Sequence, residues 1–179
     1  MYVNAKKMAY LGLLLAFSII LIVLGSVFEF NTLLLLGLAS FFVGVAIREC
    51  GHRLGTGFYI AAVILAFFLS PNKLYSFTYA GFGLYIVVTE FIWTLLQKRK
   101  PSNRLKILFY GIKFLLFNVM YIPVLYFAPS LVYNGELNQT VLVVLLIVGQ
   151  VALVVFDWVY IRFQLFYGET IRKQIKLLD

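Results

Sequence analysis

Six long apolar runs follow one another along the chain, at about residues 8–28, 32–47, 54–70, 74–96, 105–128 and 139–161. Each is close to the roughly 20 residues a helix needs to cross the hydrocarbon of a bilayer. The runs are continuously apolar and lack the polar/apolar alternation of a lumen-facing strand, so they predict helices rather than barrel strands. The second and third are short, which predicts tilting against neighbours or local thinning of the bilayer. The expectation is an all-α polytopic membrane protein with six transmembrane helices, built as one helical-bundle domain over residues 1–179.

The breaks between runs have local causes. Glu29-Phe30-Asn31 separates the first two, and Pro71-Asn72 is a turn that stops the third. QKRKPSNRLK (97–106) divides the fourth from the fifth, and PSLVYNGELN (129–138) the fifth from the sixth. Lys6 and Lys7 followed by an apolar run resemble a signal peptide. That run is long for such a leader, however, and Gly25-Ser26 makes a poor cleavage site. It reads as a retained first span.

Composition agrees with lipid as the solvent. The chain is 63% hydrophobic and 12% charged, with a mean hydropathy of +0.98, whereas soluble domains carry about 25% charged residues. Placement of the 15 Lys and Arg explains the net charge of +8. With the N-terminus inside, Lys6, Lys7, Arg48, Arg53, Lys98, Arg99, Lys100, Arg104, Lys106, Arg162, Arg172, Lys173 and Lys176 all fall on inner segments. Only Lys73 lies in an outer loop, and Lys113 sits within a span near its inner end. The positive-inside rule then gives an N-in/C-in topology, and no soluble module remains to bind nucleic acid.

Candidate chemistry is sparse. RECGHRLG (48–55) holds the sole cysteine, Cys50, and the sole histidine, His52, beside Glu49. Ligands this close together need an unusual loop, and no further Cys or His completes a metal shell. A Cys–His nucleophile also needs an oriented base and an oxyanion pocket, for which the sequence offers nothing. The stretch reads as a solvated turn, with Arg48 and Arg53 at the headgroups, Gly51 at the bend and a cytoplasmic partner as the functional alternative. Gly55-x-Gly57 starts an apolar helix and is no dinucleotide fingerprint, and there is no Walker, HExxH or GxSxG motif. Asn138-Gln139-Thr140 is a formal glycosylation sequon that abuts a span and reads as chance. No catalytic residue, metal or cofactor is expected.

Three ionisable residues fall inside spans: Glu90, Lys113 and Asp157. At 1.5 Å per residue each lies roughly 6–12 Å in from its cytoplasmic helix end, so an intramembrane cluster of the three is possible. Such groups are usually paired or functional. A structural ion cluster, snorkelling to the headgroups and an ion relay all stay open.

On the outer side the last three spans and their loops gather Asn72, Lys73, Tyr75, Phe77, Tyr79, Asn118, Tyr121, Tyr126, Phe127, Tyr133, Asn134 and Glu136, with Glu29 and Asn31 from the first loop. Interfacial aromatic belts account for tyrosines here, but the mixture also suits a pocket for a small planar or amphipathic molecule. Pro123 and Pro129 offer kinks that open one. The first span carries Ala5, Ala9, Gly12 and Ala16 at spacings of four, three and four, hence on one face. Small-xxx-small patterns of this kind let another helix approach closely, inside the chain or from a separate subunit.

This layout resembles the substrate-binding S components of energy-coupling-factor transporters. It shares their length, six helices with both ends inside, absence of an ATP-binding motif and small residues on helix one. The resemblance implies a bacterial inner-membrane subunit that is not itself an enzyme. It would take up a vitamin-like micronutrient from the outer side and be energised by a membrane coupling subunit plus ATPases. It further implies that Ala5, Ala9, Gly12 and Ala16 face the coupling subunit. Ligand contacts would come from the regions Asn72–Tyr79 and Tyr121–Glu136. Glycine at position 12 departs from an all-alanine pattern, and no motif specifies a particular vitamin. Scaffold proteins of the rod-shape type share a similar layout and give the alternative of a non-catalytic assembly subunit; an ion-coupled carrier or intramembrane enzyme built on Glu90, Lys113 and Asp157 is a third.

Overall fold

The computed structural model describes residues 5–27, 31–97, 103–127, 132–133, 135 and 138–171. They form six α-helices: α1 (Ala5–Val27), α2 (Thr32–Cys50), α3 (His52–Leu69), α4 (Lys73–Gln97), α5 (Asn103–Phe127) and α6 (Gln139–Phe166). A π-helical turn, Tyr167–Ile171, follows α6. No strand occurs among the described residues. All six helices are long and apolar enough to cross a membrane, so the all-α, six-span expectation holds and the chain is of the multi-pass membrane type. Orientation rests on the basic residues of the sequence; of these, Lys98, Arg99, Lys100, Arg172, Lys173 and Lys176 lie outside the described residues.

By its own contacts the chain divides into two compact units, residues 1–91 with 161–179 and residues 92–160, with the divisions falling inside α4 and α6.

In the first unit α1, α2 and α3 pack on one another, and α2 is the central element. Leu36, Ala39, Val43, Val45 and Ala46 are wholly buried on it, and it fits between its neighbours because glycine and serine let them come close. The Thr32 hydroxyl donates to the Gly25 carbonyl at 2.8 Å and the Ser18 hydroxyl to the Ala39 carbonyl at 3.4 Å. These bonds satisfy polar groups that lipid would leave unpaired. The last turns of α6 pack on the same core. Phe163 sits against Phe41 and Phe42, Gln164 donates to the Phe41 carbonyl at 3.2 Å, and the Tyr10 and Tyr167 hydroxyls are bonded to each other.

The α2–α3 connection is tighter than the sequence suggests. Arg48-Glu49-Cys50 continues α2, and His52 already opens α3, so the solvated turn shrinks to Gly51 alone. Gly51 has φ +88°, a left-handed value that a side chain disfavours, and it is the one positive φ among the described residues. Gly55 then lies directly on Ile47: a β-carbon there would come within 2.6 Å of the Ile47 Cα. The α3–α4 turn is held by its own polar groups. Asn72 Oδ1 accepts from the Leu74 N–H at 3.0 Å, and Lys73 Nζ donates to the Phe67 and Ser70 carbonyls at the end of α3.

In the second unit α5 and α6 are joined by a ladder of polar contacts along their length. Lys113 pairs with Asp157, Asn118 with Gln150, and the Tyr121 hydroxyl donates to the Leu145 carbonyl at 2.8 Å. Gly149 lets the Tyr121 ring lie flat on α6, where a β-carbon would overlap it. Asn138 caps α6, its Oδ1 accepting the Val141 N–H at 2.9 Å, so the side chain of the sequon serves helix initiation.

Candidate functional site

The small-residue face of α1 is uncovered. Ala5, Ala9, Gly12 and Ala16 are all exposed, and a β-carbon at Gly12 would meet nothing within 4 Å. The opposite face of the helix carries the buried residues Tyr10, Leu11, Leu14, Ser18 and Ile22. An apolar surface groove of about 410 Å³ lies between α1 and α3, lined by Gly12, Leu15, Ala16, Ile19 and Ile20 on α1 and by Leu65 and Leu69 on α3. Small residues therefore line an open trough instead of an internal helix contact.

The residues expected at an outer ligand pocket fall in both units. In the first, Asn31 is exposed at the head of α2 and Tyr75 is half-buried, while Asn72 and Lys73 hold the α3–α4 turn. Tyr79 is wholly buried, and its hydroxyl has no hydrogen-bond partner among the described residues. A buried polar group left unsatisfied costs about 1–3 kcal/mol. Around it, the Tyr59 hydroxyl donates to the Ala80 carbonyl at 2.8 Å, and the Tyr59 ring lies on Gly83. In the second unit Asn118 and Tyr121 bond to α6, with Phe117 stacked on Tyr121 at 5.0 Å. Tyr126 and Tyr133 are exposed. Pro123 lies inside α5. Glu29, Pro129, Asn134 and Glu136 lie outside the described residues.

The intramembrane charges form two pairs. Glu90, with 4% of its side chain exposed, receives two bonds from Arg48: Nε to Oε2 at 3.0 Å and Nη2 to Oε1 at 2.5 Å. This two-point geometry is the strong form of a guanidinium–carboxylate pair, and it adds a fixed partner to Arg48, which stays in the last turn of α2 with its side chain 41% exposed. Lys113 pairs with Asp157 at 2.9 Å, the two side chains 6% and 15% exposed. The Lys113 ammonium also sits 4.8 Å from the centre of the Phe109 ring.

His52 stands edge-on to Phe91 on α4, ring centres 5.8 Å apart. The two rings belong to a second groove in the first unit, of about 490 Å³, between the start of α3 and α4. Among the described residues no group of three His, Cys, Asp or Glu is disposed to hold a metal.

Sequence reasoning missed Arg48 as the partner of Glu90 and Gln150 as the partner of Asn118. Both had a signal. Arg48 and Glu90 are opposite charges at the same predicted end of their helices, and Gln150 is a polar interruption in a strongly apolar span. Comparison with protein-family models, with curated proteins and with solved structures found no match.

Proposed function

We propose that the chain is a substrate-binding subunit of the bacterial inner membrane. It captures a small vitamin-like nutrient from outside and is energised by a partner membrane subunit with its ATPases. The observation that carries this reading is the uncovered small-residue face of α1, opening on the α1–α3 groove. A helix that presents Ala5, Ala9, Gly12 and Ala16 outward is shaped for close approach of another helix, and no helix of the first unit occupies it. On this reading the N-in/C-in orientation places Lys6 and Lys7 at the cytoplasmic edge of the docking face, where the ATPases assemble.

The test has two arms on purified protein. Native mass spectrometry and thermal unfolding against a panel of water-soluble vitamins should find one that is retained or that raises Tm, since a ligand bound only by the native state stabilises it by mass action. Co-expression with a coupling subunit and its ATPases should yield a complex that Gly12→Leu abolishes while Tm of the isolated subunit is unchanged. No stabilising ligand, together with a complex indifferent to Gly12→Leu, overturns the reading.

One observation favours a second reading, that of a scaffold or assembly subunit. Asn118 and Tyr121 are engaged by α6 rather than turned to a cavity. A scaffold gives stable complexes and no ligand in the same two arms.

A further inference from the structure

The α3–α4 groove combines features that the docking face lacks. Its lining residues are His52, Arg53 and Thr56 on α3 and Val87, Val88 and Phe91 on α4. On both helices these are positions i, i+1 and i+4, so two matching faces oppose each other. Rise per residue puts Thr56, Val87 and Val88 about one turn, roughly 5–6 Å, deeper than the mouth formed by His52, Arg53 and Phe91. The mouth is cationic and the depth apolar.

The charges around the mouth do not cancel. Elements of the first unit that end there contribute Lys6 and Lys7 (start of α1), Arg48 and Glu49 (end of α2), Arg53 (start of α3), Glu90 (α4), and Arg162 and Glu169 (end of α6 and the turn after it). Glu90 is next to the groove residue Phe91, yet both of its oxygens are bonded by Arg48. Arg53 is exposed and has no ion-pair partner among the described residues. Among the described residues Lys6, Lys7, Arg53 and Arg162 then stand against Glu49 and Glu169, an excess of positive charge. Gly51 gives α3 no side-chain cap, so the N–H groups of its first turn add to the positive rim.

A cationic mouth at the end of two membrane-length helices, above a trough of valine and phenylalanine, is complementary to one kind of molecule. A free phosphate would find no partner for the trough, and a zwitterionic lipid would find no use for the charge excess. We propose that this groove binds one anionic phospholipid of the leaflet at the basic end of the helices. The phosphate lies at Arg53 and His52, and the first acyl methylenes run along Val87, Val88 and Phe91. The proposal does not depend on the transport reading.

The test uses delipidated full-length protein in detergent, with phosphatidylglycerol and phosphatidylcholine of identical acyl chains. Lipid occupancy is read by native mass spectrometry and stabilisation by thermal unfolding. Phosphatidylglycerol should be retained at least about five-fold better than phosphatidylcholine, the order expected from one charge-assisted contact, and should raise Tm; glycerol 3-phosphate should do neither. Arg53→Gln should remove that preference with Tm in lipid-free detergent unchanged. Lys106→Gln, a loss of one charge on α5, should keep it. Val88→Phe, which fills the trough and leaves every charge in place, should also lower occupancy. Equal retention of the two lipids, equal protection by glycerol 3-phosphate, or an Arg53→Gln variant that binds like wild type overturns the proposal.

Discussion

Adding one methyl group at Gly55 tests how α2 and α3 are held together. A β-carbon at this position would overlap Ile47 Cγ1 and would lie 2.6 Å from the Ile47 Cα and 2.7 Å from its N. The last two are backbone atoms, so no change of rotamer relieves the contact. Restoring an ordinary 3.4 Å requires the helices to part by about 0.8 Å (3.4 − 2.6), and the turn at Gly51, four residues away, prevents a simple slide. Overpacking of this kind costs about 1–3 kcal/mol, and a backbone clash belongs at the upper end. Alanine returns about 1 kcal/mol of helix propensity, which leaves a net loss of about 2 kcal/mol. Gly57→Ala is the matched control: it lies on the same helix with nothing within 4 Å and keeps the propensity gain alone. At about 2–4 °C per kcal/mol for a chain of this size, Gly55→Ala should lower Tm in detergent by about 4–8 °C. Gly57→Ala should hold or raise it. A Gly55→Ala protein that unfolds at or above wild type would refute the close α2–α3 contact.

Other consequences are open to the same assay. Lys113→Leu or Asp157→Leu alone should destabilise by up to about 3–5 kcal/mol, because each takes the ion pair from a largely buried charge, whereas the double variant should recover most of the loss; additive effects would show that the pair is not coupled. Tyr79→Phe should raise stability by about 1 kcal/mol or more by deleting an unsatisfied buried hydroxyl, and a fall in Tm would mean that the hydroxyl has a partner. Gly149→Ala should cost less than Gly55→Ala, about 1 kcal/mol, since it meets the Tyr121 ring and not backbone and loses chiefly the bond to Leu145. A loss as large as that of Gly55→Ala would show that the ring cannot move.

The number and placement of helices are legible because lipid imposes a length and a composition that short-range sequence reveals directly. The exposed stripe on α1 is legible as a spacing, but whether a neighbour covers it depends on how the helices pack around α2. Pairing is less legible for a similar reason. Counting residues places Glu90, Lys113 and Asp157 at one depth, yet depth does not give azimuth, and it is azimuth that hands Glu90 to Arg48. Arg48 reads as a helix-end cation in sequence and is one, but nothing local shows that its side chain meets Glu90. Tyr79 reads as an outer-side aromatic, and the structure adds that it is wholly buried, which the spacing of residues along α4 does not show.

The single-residue turn at Gly51 also bears on how the protein is made. With one residue between them, α2 and α3 have no loop that would let the first settle in the bilayer while the second is still being oriented. So short a connection keeps the end of α2 and the start of α3, and with them Arg48 and Arg53, on one side of a bilayer. A mistake in topology would have to invert both helices at once and drag two guanidinium groups across the hydrocarbon. The turn thus ties the orientation of α3 to that of α2.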